Sequence, residues 1–244
     1  MRSVRELLKL RDHLEKLKVS LQEKQYFFPH KQLLAVVKLL NRAIRTVNST
    51  IHELKYDLPE LAKSLSMKCN QLLNEYDSLD FRNKRALREY LDNVKYFTRY
   101  IFAAYYDFTG KLSIVKRAYK LYVLSFVISI ILAPLIIGAS IMFIGLLMFP
   151  LFISIHAFRA RRKLGLVIAS TLVPFILFIS ANALYYSIYA LLHLEEVEVI
   201  ASALNVGILL AYLILVGILL ASIVSLTFVT YSFIVLYRHM DAFI

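Results

Sequence analysis

Between residues 3 and 110, apolar side chains recur at alternating steps of three and four, the rhythm of a helix that buries one stripe. Leu7, Leu10, Leu14, Leu17 and Leu21 form the first seam. Ser3 and Glu6 stand before it at capping-box spacing, in which a hydroxyl and a carboxylate satisfy the free amides of a helix start. Tyr26–Pro29 interrupts this helix, and Pro29 suits the first turn of the next. A second, longer seam runs through Leu33, Val37, Leu40, Ile44, Val47, Ile51, Leu54 and Leu58. Pro59 closes it and opens a third helix with Leu61, Leu65, Leu72 and Tyr76 inward. Ser78 or Asp80 is placed to cap a fourth helix, which carries Leu87, Leu91, Val94, Ile101, Tyr105 and Phe108 inward as far as Gly110. Links this short favour antiparallel neighbours, so residues 1–110 are expected to form a coiled-coil-like helical bundle whose seams suit packing within one chain or between subunits.

After residue 120 the pattern changes. Leu121–Phe158, Leu164–Leu192 and Val199–Tyr237 contain no Asp, Glu, Lys or Arg. A helix needs about 20 apolar residues to cross a bilayer. The first stretch is too long for one crossing and long enough for two, with Gly138-Ala139-Ser140 at its midpoint as the turn. The expected spans are therefore 121–137, 141–158, 164–192 and 206–237. They follow a basic amphipathic linker at 111–120 and precede a short tail at 238–244. The predicted fold class is all-α: a polytopic membrane protein with an N-terminal helical bundle and four transmembrane helices.

Charge orients this arrangement. The chain has 29 Lys+Arg against 17 Asp+Glu, a net charge of +12, and most of the excess precedes the apolar stretches. With four crossings, Lys111, Lys116, Arg117, Lys120, Arg159, Arg161, Arg162, Lys163 and Arg238 all lie on one side. The positive-inside rule makes that side cytoplasmic, and with it both termini and the bundle. The segment His193–Glu198, acidic and without Lys or Arg, falls on the other side. A hairpin at 121–158 that dips in and returns gives the same sidedness. The first 25 residues are charged and amphipathic, without the apolar core of a signal peptide, so insertion into the cell membrane is expected to begin at the first apolar hairpin.

Composition agrees: 59% hydrophobic and 19% charged residues are outside the usual range for a wholly soluble domain. One cysteine, Cys69, leaves no internal disulfide framework. The histidines are scattered without metal-ligand spacing, Asp77 and Asp80 fit a helix break, and no phosphate loop or nucleophile elbow is present. No metal, cofactor or catalytic residue is therefore assigned.

Four groups of residues remain. Lys116, Arg117, Lys120, Arg159, Arg161, Arg162 and Lys163 are candidates for contact with anionic lipid headgroups of the inner leaflet. Gly207, Ala211, Gly217, Ala221 and Ser225 place small residues on faces of the last span, a spacing that lets helices approach closely. Ser180, Asn182, Thr227 and Thr230 are uncharged polar groups fit to line a pore or to bond between helices. Seven aromatics in the 13 residues Tyr96–Phe108 suit either an interfacial collar or core packing, and Tyr185, Tyr186 and Tyr189 suit an outer belt. A basic chain without a base-reading motif makes nucleic acid an unlikely partner.

Three function classes fit these features. The first is a non-catalytic membrane subunit or scaffold that oligomerises or binds partners through its cytoplasmic helices. The others are a homo-oligomeric channel with an uncharged polar pore and a small permease driven by a separate ATPase. Long seams and small-residue faces are association surfaces, which places the first ahead.

Overall fold

The computed structural model describes residues 2–138 and 140–244 and is all-helical, with no strand among the described residues. It divides into two compact units, one reaching Ser113 and taking in Ile244, the other Ile114–Phe243.

In the first unit, α1 (Arg2–Glu23), α2 (His30–His52), α3 (Pro59–Asp77) and α4 (Lys84–Phe108) form a four-helix bundle. The chain alternates in direction. Tyr76 near the end of α3 donates to the Ser20 carbonyl near the end of α1, while the carbonyl of Phe108, at the end of α4, accepts the amides of Lys55 and Tyr56 beyond α2. α1 packs on α3 and α2, α2 packs on α4, and α3 meets α4 more lightly. The first seam is the centre of the core: Leu7, Leu10, Leu14, Leu17 and Leu21 are all at most 1% exposed. Burying each is worth about 1.5–3 kcal/mol, so the helical rhythm of α1 specifies its packed face directly. These seams are satisfied inside one chain.

Local details depart from the sequence expectation. The amides of Arg2 and Ser3 are capped by the carboxylate of Asp57, at 3.3 and 2.9 Å, and Ser3 lies inside α1, so the Ser3–Glu6 box does not form. Glu6 instead pairs with Lys9 at 2.8 Å. Neither Ser78 nor Asp80 caps α4; Asn83 does, accepting from the amides of Arg85 and Ala86. The second seam stops early. α2 ends at His52, and Leu54 and Leu58 fall in the following loop, where bonding of the Lys55 and Tyr56 amides to Phe108 replaces helical pairing. Gly110 turns the chain out of α4 at φ +71°, with the Tyr56 ring only 2.8 Å from where a Cβ would stand. Only glycine fits there.

The second unit contains α5 (Leu112–Ile137), α6 (Ile141–Arg159), α7 (Lys163–Leu192), α8 (Leu194–Ala203) and α9 (Ile208–Arg238). The expected linker at 111–120 is mostly helix: from Leu112 it is continuous with the apolar run. α5, α7 and α9 are long and apolar enough to cross a membrane; α6 runs 19 residues, of which Ile144–Arg159 is an apolar stretch. Among the described residues three helices meet the requirement, and α6 occupies the place of the expected span 141–158. Of the expected turn, Gly138 has φ +62°, a conformation natural to glycine, and Ala139 lies outside the described residues.

The chain doubles back between α5 and α6, since Tyr119 near the start of α5 packs on Phe158 at the end of α6, ring centroids 4.6 Å apart. Phe158 also meets Phe243, beyond α9, at 5.3 Å. A hydrogen bond of 3.2 Å from Ser154 of α6 to the Gly165 carbonyl of α7 ties the third helix to the same end. At the opposite end α8, not foreseen as a helix, buries Val197 and Ala201 against Ala190 of α7 and Ala211 and Leu215 of α9. Its Glu195 and Glu196 occupy the first turn, where the helix dipole favours negative charge. Asn205 at φ +53° then separates α8 from α9.

Candidate functional site

Three places concentrate the polar and aromatic groups singled out above. The first is on the bundle. α3 and α4 touch through Tyr76 and Tyr90, ring centroids 6.0 Å apart, and then diverge toward the start of α3 and the end of α4. The gap is an open slot of about 430 Å³. Its lining includes the inward Leu65 and Leu72 of α3 and Phe97 of α4, all buried. Tyr96 and Tyr100, one helical turn apart, stand at its edge 51% and 39% exposed. Their rings meet edge to face at 5.0 Å and the Tyr100 hydroxyl donates to that of Tyr96 at 2.9 Å, a bond that raises the Tyr100 pKa. Across the slot, Lys68 donates to Gln71 and Gln71 to Glu75, each at 3.0 Å. The wall is therefore a held array of polar groups beside an apolar floor.

The aromatic run of α4 serves two purposes. Phe97, Phe102, Tyr106 and Phe108 are buried, with the Arg42 guanidinium 4.6 Å over the Phe102 ring, whereas Tyr96 and Tyr100 face outward. Tyr105 is half-buried and donates to Glu53, which Lys111 approaches at 2.6 Å. Lys111 first and Tyr105 second hold the Glu53 carboxyl below the usual carboxylate range. Cys69 is fully buried and burial pushes its thiol up to about 12, far from the reactive thiolate range.

The second place is one end of the second unit. Lys116, Arg117 and Lys120 are exposed on the first turns of α5, and Arg159 and Arg162 are exposed where α6 turns into α7. Arg161 and Lys163 are half-buried, and Arg161 takes φ +53°. The Tyr119–Phe158–Phe243 contacts bring these stretches together.

The third is the interior of the same unit. Ser129 of α5, Ser180 of α7 and Ser225 of α9 form a closed triangle of hydroxyls with edges of 3.0, 2.8 and 3.1 Å, and Ser225 also reaches the Ser125 carbonyl at 3.1 Å. All three serines are at most 2% exposed. Ser180 and Ser225, assigned from sequence to different roles, thus meet at one junction. The other polar candidates do not join them: Asn182 is half-buried and donates to the Phe178 carbonyl, Thr227 donates to Ile223 on an exposed face, and Thr230 is exposed. Of the outer tyrosines, Tyr185 and Tyr189 are exposed and Tyr189 stacks on His193 at 4.3 Å.

The small-residue candidates also separate. Ala211 and Ser225 are buried and Ala221 is half-buried, but Gly207 and Gly217 are exposed with no atom within 4 Å of a would-be Cβ. The packed face of α9 runs instead through Ala211, Leu215, Ser222, Ser225, Val229, Ser232 and Leu236. Within the second unit the close glycine contact is at Gly165, whose would-be Cβ stands 2.9 Å from the Phe158 backbone nitrogen. Its signal in the sequence was a glycine one turn inside an apolar helix just after a basic turn.

Among the described residues, no cluster of three His, Cys, Asp or Glu side chains is arranged to hold a metal ion. In comparisons with protein-family models, curated proteins and solved structures, the chain matches none.

Proposed function

We propose that this chain is a non-catalytic integral membrane subunit or scaffold. In this reading it sits in the cell membrane with four spans and both termini in the cytoplasm, and grips a partner protein through the α3–α4 face of its N-terminal bundle. The slot beside Tyr96 and Tyr100 carries the reading. The leucine seams are consumed within the chain, so partner binding needs another surface. A half-open apolar floor edged by two mutually fixed tyrosines has the chemistry of an interface anchor, because tyrosine supplies large contact area at small entropic cost and a polar end for orientation. The four-span topology is supported by the antiparallel course of α5 and α6 and by the grouping of cations at one end. α6, with 19 residues, rises about 28 Å at about 1.5 Å per residue, close to the thickness of the hydrocarbon core.

The interior hydroxyls favour this role over a pore within one chain. Ser129, Ser180 and Ser225 spend their hydrogen-bonding capacity on one another, which joins helices rather than solvating an ion. The test is purification in mild detergent followed by mass measurement of the intact assembly, with wild type beside the double variant Tyr96→Ala/Tyr100→Ala. A defined complex that dissociates in the variant while the helical signal persists is the expected result. A wild-type chain that is monomeric with no bound partner contradicts the proposal.

A further inference from the structure

Charge in the second unit is sharply divided. The end where α5 begins and α6 turns into α7 carries eight Lys and Arg and one carboxylate, Asp241, whereas the end bearing α8 carries three glutamates and no Lys or Arg. Within the cationic end Lys116, Lys120 and Arg159 lie within three residues of one aromatic pair in sequence. Tyr119 lies on Phe158, with centroids 4.6 Å apart and rings inclined by 39°. Lys116 and Lys120, one turn apart on α5, flank Tyr119 in sequence, and Arg159 follows Phe158 directly. The packing of the two rings therefore brings the cation-bearing turns of α5 and α6 together. All three are exposed, and none forms an ion pair among the described residues.

We propose that Lys116, Lys120 and Arg159 form a binding site for the phosphate of an anionic lipid headgroup, with the half-buried Tyr119 as the platform that spaces them. A guanidinium offers a two-pronged grip on phosphate oxygens and two ammonium groups supply further charge. Exposed apolar side chains run along the same helices beyond the site, among them Leu124, Val127 and Ile153, and suit the acyl chains of the same molecule. This couples phosphate and hydrocarbon recognition on one surface, so the ligand is a lipid rather than a soluble phosphate. Basic pockets between spans on the cytoplasmic side are known to hold acidic headgroups. The inference rests on the membrane reading above.

The test uses full-length protein in nanodiscs and in detergent. Bound lipid is counted by native mass measurement with phosphatidylcholine, phosphatidylglycerol and a phosphoinositide. Retention of the anionic lipids over phosphatidylcholine is expected. The triple variant Lys116→Gln/Lys120→Gln/Arg159→Gln should lower that preference at least tenfold, since each charge is worth roughly a fivefold change, and Arg159→Lys should retain most of it. The control Lys31→Gln/Lys38→Gln/Arg45→Gln removes three exposed cations of α2 and should leave it unchanged. Equal loss in control and triple variant means diffuse attraction only and overturns the site. Full displacement by inorganic phosphate in the millimolar range overturns the lipid assignment. Failure of the protein to enter nanodiscs at all refutes the membrane reading instead, which keeps the two claims distinguishable.

Discussion

The two units differ in what their helices bury beside large apolar side chains and in what they leave exposed. In the bundle the interior is leucine and aromatic residues, with Leu10, Leu14 and Leu17 fully enclosed. In the second unit α7 buries Gly165, Ala169, Ser180, Ala183, Ser187 and Ala190 beside Leu172, Val173, Ile176 and Ile179, and α9 buries Ala211, Ser222, Ser225 and Ser232 beside Leu215, Val229 and Leu236, while Leu146, Phe149, Leu209 and Leu213 are more than 60% exposed. A chain surrounded by water gains most by hiding its largest apolar groups. A chain surrounded by hydrocarbon gains nothing that way, and its helices associate instead through small residues and interhelical hydrogen bonds. The contrast fits the proposal of a bundle in water and a unit in lipid.

The largest expected difference follows from it. Leu14→Ala should destabilise the bundle by about 2–5 kcal/mol through the cavity it leaves, whereas Leu209→Ala, on an exposed face, should change stability by under about 0.5 kcal/mol. Hydrogen exchange of the purified protein checks both; equal losses would remove the distinction between the units. Next in size is a pair of glycines. Gly165→Ala forces a Cβ against the Phe158 backbone nitrogen at 2.9 Å and should cost about 1–3 kcal/mol. Gly217→Ala meets open space and should be neutral or slightly stabilising by helix propensity, about 0.5–1 kcal/mol. Thermal unfolding in detergent compares the two, and a reversed order would put the packed face of α9 elsewhere. Ser129→Ala or Ser225→Ala should cost only about 0.6 kcal/mol, the usual worth of a hydroxyl bond between spans, and a loss of several kcal/mol would mark the triangle as more than a joint.

The smallest effect concerns pH. The side chain and amide of Ser3, with the amide of Arg2, hold Asp57 below its ordinary carboxylate range of about 4. A lowered folded pKa contributes stability that is complete above the unfolded value and lost as pH falls through the folded one. Acid unfolding of the bundle should therefore include a component below about pH 4 that Asp57→Asn removes. An identical acid profile in the variant would deny Asp57 that role.

What could be read from the sequence divides along the same boundary. The fully buried leucines of α1 followed from their spacing because burial in water obeys helical period. The rhythm of the second seam continued past its helix, since Leu54 and Leu58 keep the period while the amides of Lys55 and Tyr56 pair with Phe108 far along the chain. The Asp57 cap and the serine triangle escaped for a related reason: each joins residues at least 45 positions apart, and spacing carries no such information. α8 left a trace, Val197 and Ala201 one turn apart behind acidic residues, but it ran into the apolar stretch of the last span and only the break at Asn205 divides them. Where every face of a helix is apolar, periodicity cannot say which face is packed: Gly207 and Gly217 keep the small-residue spacing yet meet open space, while Gly165, outside that spacing, is packed against Phe158.

The most direct measurement is the sidedness of the two ends of the second unit. Single cysteines are introduced as Ser140→Cys, Glu196→Cys and Ala160→Cys in a Cys69→Ala chain and exposed in intact cells to a thiol reagent that does not cross membranes. The account predicts labelling at 140 and 196 from outside and at 160 only after the cells are opened. Labelling at 160 but not at 140 in intact cells would contradict it.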